Sequence, residues 1–244
     1  MRLQKISYTL LILLVVTALS SSVAYAHCIW SEPPSQITLD EDFIVKAFYA
    51  HPDDPIEGRD MTDLSLYVLD SDGQKVELEL KKLATYQQAV ANLSQPDLYV
   101  FILEREPNRY RLQEIRDYGL SFTVAGDHER ELPTPVGIPL EVHPMVMEAR
   151  EGGLMDLSLQ VLYNGEPVAG AEIEVFESLE PAGEVHDEID EVEVDDDGMA
   201  KVIIDPAFNY VFETDHRVPA GEVDDTGIFI TEVRFRSTLF LGAW

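Results

Sequence analysis

Cysteine is almost absent from this 244-residue chain, in which Cys28 stands alone. One thiol cannot form an intramolecular disulfide framework or a paired-cysteine zinc pattern. Cys28 is read as a buried small residue or a free thiol, and its place beside His27 makes a metal role worth testing. Basic side chains are also scarce, with 17 Lys and Arg against 46 Asp and Glu, giving a formal net charge of −29. So acidic a surface repels phosphate and argues against nucleic acid as a partner. Outside the N-terminal stretch no apolar run is long enough for a membrane span, so no membrane insertion of the mature chain is expected. The chain also lacks an HExxH pair, a GxSxG elbow and a Walker loop. Acidic residues are too numerous to single out two as general acid and base, and the chain is read as a binding protein, not an enzyme.

The N-terminus is organised. Arg2 and Lys5 precede an apolar run from Ile6 to Val16, and small residues end in Ala24-Tyr25-Ala26. That order reads as a secretory signal peptide over residues 1–26, which predicts a periplasmic or secreted protein beginning at His27. Its removal takes away Arg2 and Lys5 and carries the side-chain charge from −29 to −31.

The rest is rich in short β-prone segments broken by turns. Phe43 to Tyr49, Leu64 to Leu69, Val76 to Leu83, Tyr99 to Glu104 and Leu120 to Val124 read as strands, with Ser71-Asp72-Gly73 as a hairpin turn. Arg109 to Ile115 fits either a helical turn or a loop. Three prolines and a glycine in Glu131 to Pro139 mark a semi-rigid connector. Beyond it, Leu154 to Tyr163, Asn164-Gly165, Ala171 to Glu177, Val192 to Val194, Ala200 to Ile204, Tyr210 to Glu213 and Ile228 to Phe235 continue the pattern. The fold class expected is all-β, with two antiparallel sandwiches of immunoglobulin-like or transthyretin-like type at 27–130 and 140–244, joined by a linker at 131–139. The acidic run Glu184 to Asp197 lacks the ligand order of an EF-hand and reads as a solvated, charge-protected hairpin edge.

Histidine carries the chemistry. Cleavage after Ala26 gives His27 a free α-amino group, so one residue offers its amine and its ring Nδ1 to a metal. A second imidazole completes a histidine brace, a nitrogen set suited to copper. His51, in the loop after a predicted strand, is the first candidate, and His216 the next. His128 and His143 read as surface or structural histidines. A copper-dependent oxidase built on the brace needs an open coordination position and a substrate-facing aromatic surface, and Trp30 reads better as core.

Several stretches carry a family likeness: the start at His27, Phe48-Tyr49-Ala50-His51-Pro52, the run from Leu98 to Tyr110, Pro135 to Val142, Val161 to Ala171, Tyr210 to Arg217 and Arg236 to Phe240. Together they resemble a periplasmic domain-of-unknown-function family associated with nickel and cobalt uptake transporters. The resemblance implies a β-rich exported protein linked with transition-metal handling, nickel or cobalt, that partners a metal-uptake transporter, with His27 and His51 on family-like histidine positions and His216 in a similar polar segment; the brace reading adds copper as a further option. The alternative is a metal-independent extracellular module for adhesion or carbohydrate contact. N-terminal sequencing of the exported protein is expected to read His27-Cys28-Ile29; any other start removes the free amine from His27.

Overall fold

The computed structural model describes residues 27–53, 63–70, 72–129, 131–181, 183 and 185–244. The expected signal peptide at 1–26 lies outside the described residues. In the first half the strands are β1 (Cys28–Glu32), β2 (Gln36–Ile37), β3 (Asp42–Ala50), β4 (Leu64–Leu69), β5 (Lys75–Leu78) and β6 (Lys81–Lys82). They are followed by β7 (Gln87–Asn92), β8 (Asp97–Arg105), β9 (Asn108–Tyr110) and β10 (Gln113–Ala125). In the second half come β11 (Leu140–Ala149), β12 (Met155–Tyr163), β13 (Glu166–Pro167) and β14 (Glu172–Ser178). The last are β15 (His186–Glu193), β16 (Met199–Ile204), β17 (Tyr210–Pro219) and β18 (Glu232–Leu241). The protein is nearly all β, as the alternation of apolar residues predicted. No helix among the described residues is long and apolar enough to cross a membrane.

A 10-stranded sheet runs β15-β14-β17-β18-β10-β8-β4-β5, with β2 and β9 beside β10. One four-stranded sheet is β1-β3-β7-β6, and another is built on β12, paired with β11, β13 and β16. Alternation along the central strands shows how the layers stack. In β17, Tyr210 and Phe212 join a core with Leu140, Val142, Leu157 and Leu159, whereas Val211 joins Cys28, Trp30 and Phe48. In β8, Ile102 faces the first of these cores and Phe101 faces a third, with Val45 and Leu66. The large sheet is thus packed on both faces, one small sheet to a side. Strands in that position read as near-continuous apolar runs, because both sides of the pleat are inside. Each fully buried Val, Leu, Ile or Phe contributes about 1.5–3 kcal/mol.

The connector at 131–139 falls between β10 and β11, yet strands from before and after it share the central sheet. β10 and β18 pair in parallel from Gln113↔Glu232 to Ser121↔Phe240. The connector itself is tied down, since Glu141 accepts the backbone N–H groups of Val136 and Gly137, each at 3.1 Å. Arg109 to Ile115, left open between helical turn and loop, is a β9–β10 hairpin whose turn residue Arg111 has φ +58°. The strand expected from Ile228 begins only at Glu232, because Ile230 N–H bonds back to Gly227 O in a turn that leaves Ile228 and Phe229 exposed. Val76 to Leu83 splits between two sheets at Glu79. Within the acidic run His186–Glu193 forms edge strand β15, paired among the described residues only with β14, which fits its reading as a charged edge.

Gly119 explains why the layers meet so closely. A Cβ there would lie 3.0 Å from Ile29 O and 3.2 Å from Thr238 Oγ1, so any larger residue would have to push β1 away from β10 and β18 by a few tenths of an ångström. Beside it the buried Arg236 guanidinium donates to Asp117 at 2.6 Å, and Arg105 reaches the same carboxylate at 3.3 Å. Arg236→Met leaves Asp117 with Arg105 alone, and urea unfolding is expected to show a loss of about 3–5 kcal/mol, the cost of breaking a buried pair from one side. A loss under about 1 kcal/mol would show that the pair does not hold the junction.

Candidate metal centre

The antiparallel register of β14 and β17 sets Glu174 opposite Glu213, and that of β17 and β18 sets Glu213 opposite Thr238. Over this row lies β1, held by a hydrogen bond from Thr238 Oγ1 to Ile29 O at 2.6 Å. Cys28 pairs with Ala50, so the end of β3 delivers His51 to the same place. The His51 ring stands edge-on to Phe176 with centroids 5.3 Å apart. Its Nδ1 contacts the Asp53 carboxylate, and its Nε2 lies 3.9 Å from Glu174 Oε2. One ligand atom from each of His51, Glu174 and Glu213 lies within 4.8 Å of the others. A carboxylate on the far nitrogen of an imidazole is the usual way of orienting a metal-binding histidine.

Four carboxylate residues are buried among the described residues, and three have donors to match. Asp117 has Arg236 and Arg105, Glu114 has Arg116 at 2.8 Å, and Glu141 has two backbone N–H groups. Glu213 is 6% exposed, and its buried Oε2 has no hydrogen-bond partner. Burial drives its pKa up to about 7, opposed by the Cys28 thiol and Arg236 and reinforced by Glu174. Burial also raises Glu174, whose half-exposed side chain opens the cluster to solvent. The Cys28 thiol beside Glu213 donates to Ala50 O at 3.5 Å; burial and Glu213 push its pKa well up. A buried carboxylate oxygen without a donor, facing a second carboxylate and an imidazole, is a place for a cation.

The three histidines singled out from the sequence fall in different surroundings. His51 is in the cluster. His27 lies just before β1, whose last pair with β3 is Cys28 and Ala50, and its ring packs edge-on to Tyr49 at 5.8 Å, on the other side of the β1–β3 ribbon from Phe176. His216 follows Glu213 by three positions and therefore faces the opposite side of β17, where its ring sits 4.9 Å from Tyr163 and burial lowers its pKa. His143 is buried beside Glu141. The residues that sequence reasoning missed are Glu174 and Glu213. Their signal was a carboxylate inside an apolar run, as in Tyr210-Val211-Phe212-Glu213, but its partner from another strand is set by topology alone.

A family model described as "Domain of unknown function (DUF4198)" matches residues 24–218. No curated protein matches. Among solved structures, the chain is similar to a mutant Salmonella alpha-2-macroglobulin at 14% identity, covering 88% of this chain and 15% of that one, with a TM-score of 0.30. It is also similar to an Escherichia coli alpha-2-macroglobulin activated by porcine elastase, at 13% identity, covering 89% and 20%, with a TM-score of 0.33. The chain thus spans a fifth or less of those structures, and likeness of that degree establishes no common fold.

Glu213 makes stability depend on pH in a definite direction. Its pKa rises from 4.5 to about 7 on folding, so between those values the folded state holds a proton that the unfolded state has lost. Stability of the metal-free protein therefore falls as pH rises through that window, by up to about 3 kcal/mol from this residue, and is level above it. Urea unfolding at pH 5 and pH 7.5 in chelator is expected to show this fall in the natural protein and its loss in Glu213→Gln; equal pH dependence in both would reject it.

Proposed function

The chain belongs to the family described as a domain of unknown function (DUF4198), and from that premise we propose that it is an exported transition-metal-binding protein. It holds a divalent ion between His51, Glu174 and Glu213 and passes it to an uptake system. The observation that carries the reading is the buried, donorless oxygen of Glu213, set within 4.8 Å of ligand atoms on Glu174 and His51. An imidazole and two carboxylates suit nickel and cobalt, and copper binds more tightly still to most nitrogen-containing sites. Three side chains leave coordination positions open to water or to a receiving ligand. A carrier needs that incompleteness, since an ion enclosed by the protein on all sides leaves slowly.

Export supports the reading through the N-terminus. Processing after Ala26 would leave the amino nitrogen of His27 one residue before Cys28, whose partner Ala50 precedes His51, and on this reading that nitrogen joins the three side chains although its ring packs on Tyr49. His216, on the opposite face, takes no part in this site. The reading is one of capture and delivery in the periplasm or outside the cell, not of catalysis.

Titration calorimetry with nickel and cobalt chlorides tests it. One ion is expected per chain, with His51→Ala and Glu213→Gln each weakening binding by about tenfold to a hundredfold and His216→Ala leaving it unchanged. Equal losses from His216→Ala and His51→Ala would reject this ligand set. A chain beginning at His27 is expected to bind more tightly than one carrying an extra residue ahead of it; equal affinity confines the site to the three side chains.

A further inference from the structure

Three of the six methionines in the chain line one cleft of about 410 Å³. Met145 and Met147 come from β11 and Met155 from β12, with Leu132, Val146 and Trp244 beside them. Glu131 and Trp244 are the only lining residues among those described whose side chains carry oxygen or nitrogen, so the donors on offer are mainly sulfur.

The strand register brings the three together. Pro144 pairs with Leu159 and Val146 with the next residue, Ser158, which makes Met145 the extra residue of a β-bulge. A bulge re-aims a side chain, and Met145 lines the cleft while remaining 41% exposed. Beyond the bulge Met147 pairs with Leu157 and Ala149 with Met155, so Met147 and Met155 are diagonal neighbours on one face of the ladder. Diagonal Cβ atoms lie about 7 Å apart, within reach of long side chains. Both methionines pack partly against the core around Leu157 and Leu159, and the Trp244 ring beside them meets Phe122 at 5.9 Å. A methionine that only fills a gap packs against protein on all sides. Here Met145 is exposed and the space shared by all three is open, so gap filling does not account for the cluster.

We propose that this cleft binds one soft monovalent ion, Cu(I), through the thioether sulfurs of Met145, Met147 and Met155. Thioethers are uncharged and polarisable and select Cu(I), whereas nickel takes imidazole donors. An indole in the lining adds attraction for a cation. The site shares no residue with the His51 cluster and stands whether or not that cluster holds a divalent ion.

The test uses the full chain in the absence of oxygen, with copper supplied already reduced as its Cu(I)–bicinchoninate complex. The protein is expected to draw one Cu(I) from the chromophore. Met147→Leu with Met155→Leu keeps side-chain volume and is expected to weaken this binding by about tenfold or more. Cys28→Ala and His51→Ala are expected to leave it unchanged. Ag(I), a redox-inert stand-in, added to protein labelled with carbon-13 at the methionine methyls, is expected to shift the resonances of Met145, Met147 and Met155. Met199, at the other end of the β12–β16 ladder from Met155, is expected to stay in place. Those shifts report on the natural protein, so they decide the matter even if the double variant fails to fold. Undiminished binding by the folded double variant, loss of binding in Cys28→Ala or His51→Ala, or shifts in the three methyls no larger than that of Met199 would overturn the proposal.

Discussion

A strand buried on both faces has to satisfy its polar side chains from within, and the parallel pairing of β10 with β18 imposes that condition at the centre of this protein. Asp117 meets it by lying between Arg236 and Arg105, and Arg105 turns in addition to Asp63 and the Tyr49 hydroxyl, each at 2.8 Å. The seam continues past Gly119 through Thr238 to Ile29 O and through a 2.8 Å hydrogen bond between Ser31 and Ser121. These contacts decide where β1 lies on the sheet. β1 in turn pairs with β3, and the end of β3 carries His51. The position of the candidate ligand is therefore set by a polar seam that does not touch it.

The same seam accounts for the state of Glu213. The Arg236 guanidinium acts on Glu213, but its Nε is committed to Asp117, so Glu213 feels its field without a hydrogen bond from it. A carboxylate in that position costs several kcal/mol to ionise, and Glu174 directly across the ladder adds like-charge repulsion. Its apolar neighbours on that face are Val211, Phe176 and Cys28, and none of the polar ones, Glu174, Thr238 and His51, donates to its buried Oε2. A stability cost with no structural return is common at binding sites, where the ligand rather than the fold supplies the compensation.

How much of this was readable in the sequence follows from which interactions are local. Alternation in Leu64-Ser65-Leu66-Tyr67-Val68 and the Asn164-Gly165 turn depend on neighbours in the chain, and both appear as read, the turn with φ of +51° and +82°. The acidity of Glu188, Asp190 and Glu191 announced an exposed edge. The joining of the two halves did not show, because the parallel pairing of β10 with β18 is made by residues over a hundred positions apart. The Pro-rich segment signals a stiff connector either way, and composition cannot tell whether the strands on its two sides share a sheet. His51 was accessible as a loop histidine after a strand. Glu174 and Glu213 were hidden among 46 acidic residues until burial distinguished them.

That distinction also changes what the acidic surface means. Read as composition, −29 is an adaptation of the whole surface, and the acidic run in β15 is an edge protected against pairing with other chains. The structure adds that β15 pairs with β14 beside Glu174, and that Glu188, Glu191 and Asp215 all act on the Glu174 carboxylate. On the proposed reading, an ion approaching the cluster does so past these side chains. Their field raises the local cation concentration, and salt screens it over about 10 Å. It therefore speeds capture without deepening the site, since those carboxylates are solvated whereas burial desolvates Glu213 and, in part, Glu174. The edge that guards against aggregation and the edge that gathers cations are one strand, and no choice between the two roles is needed.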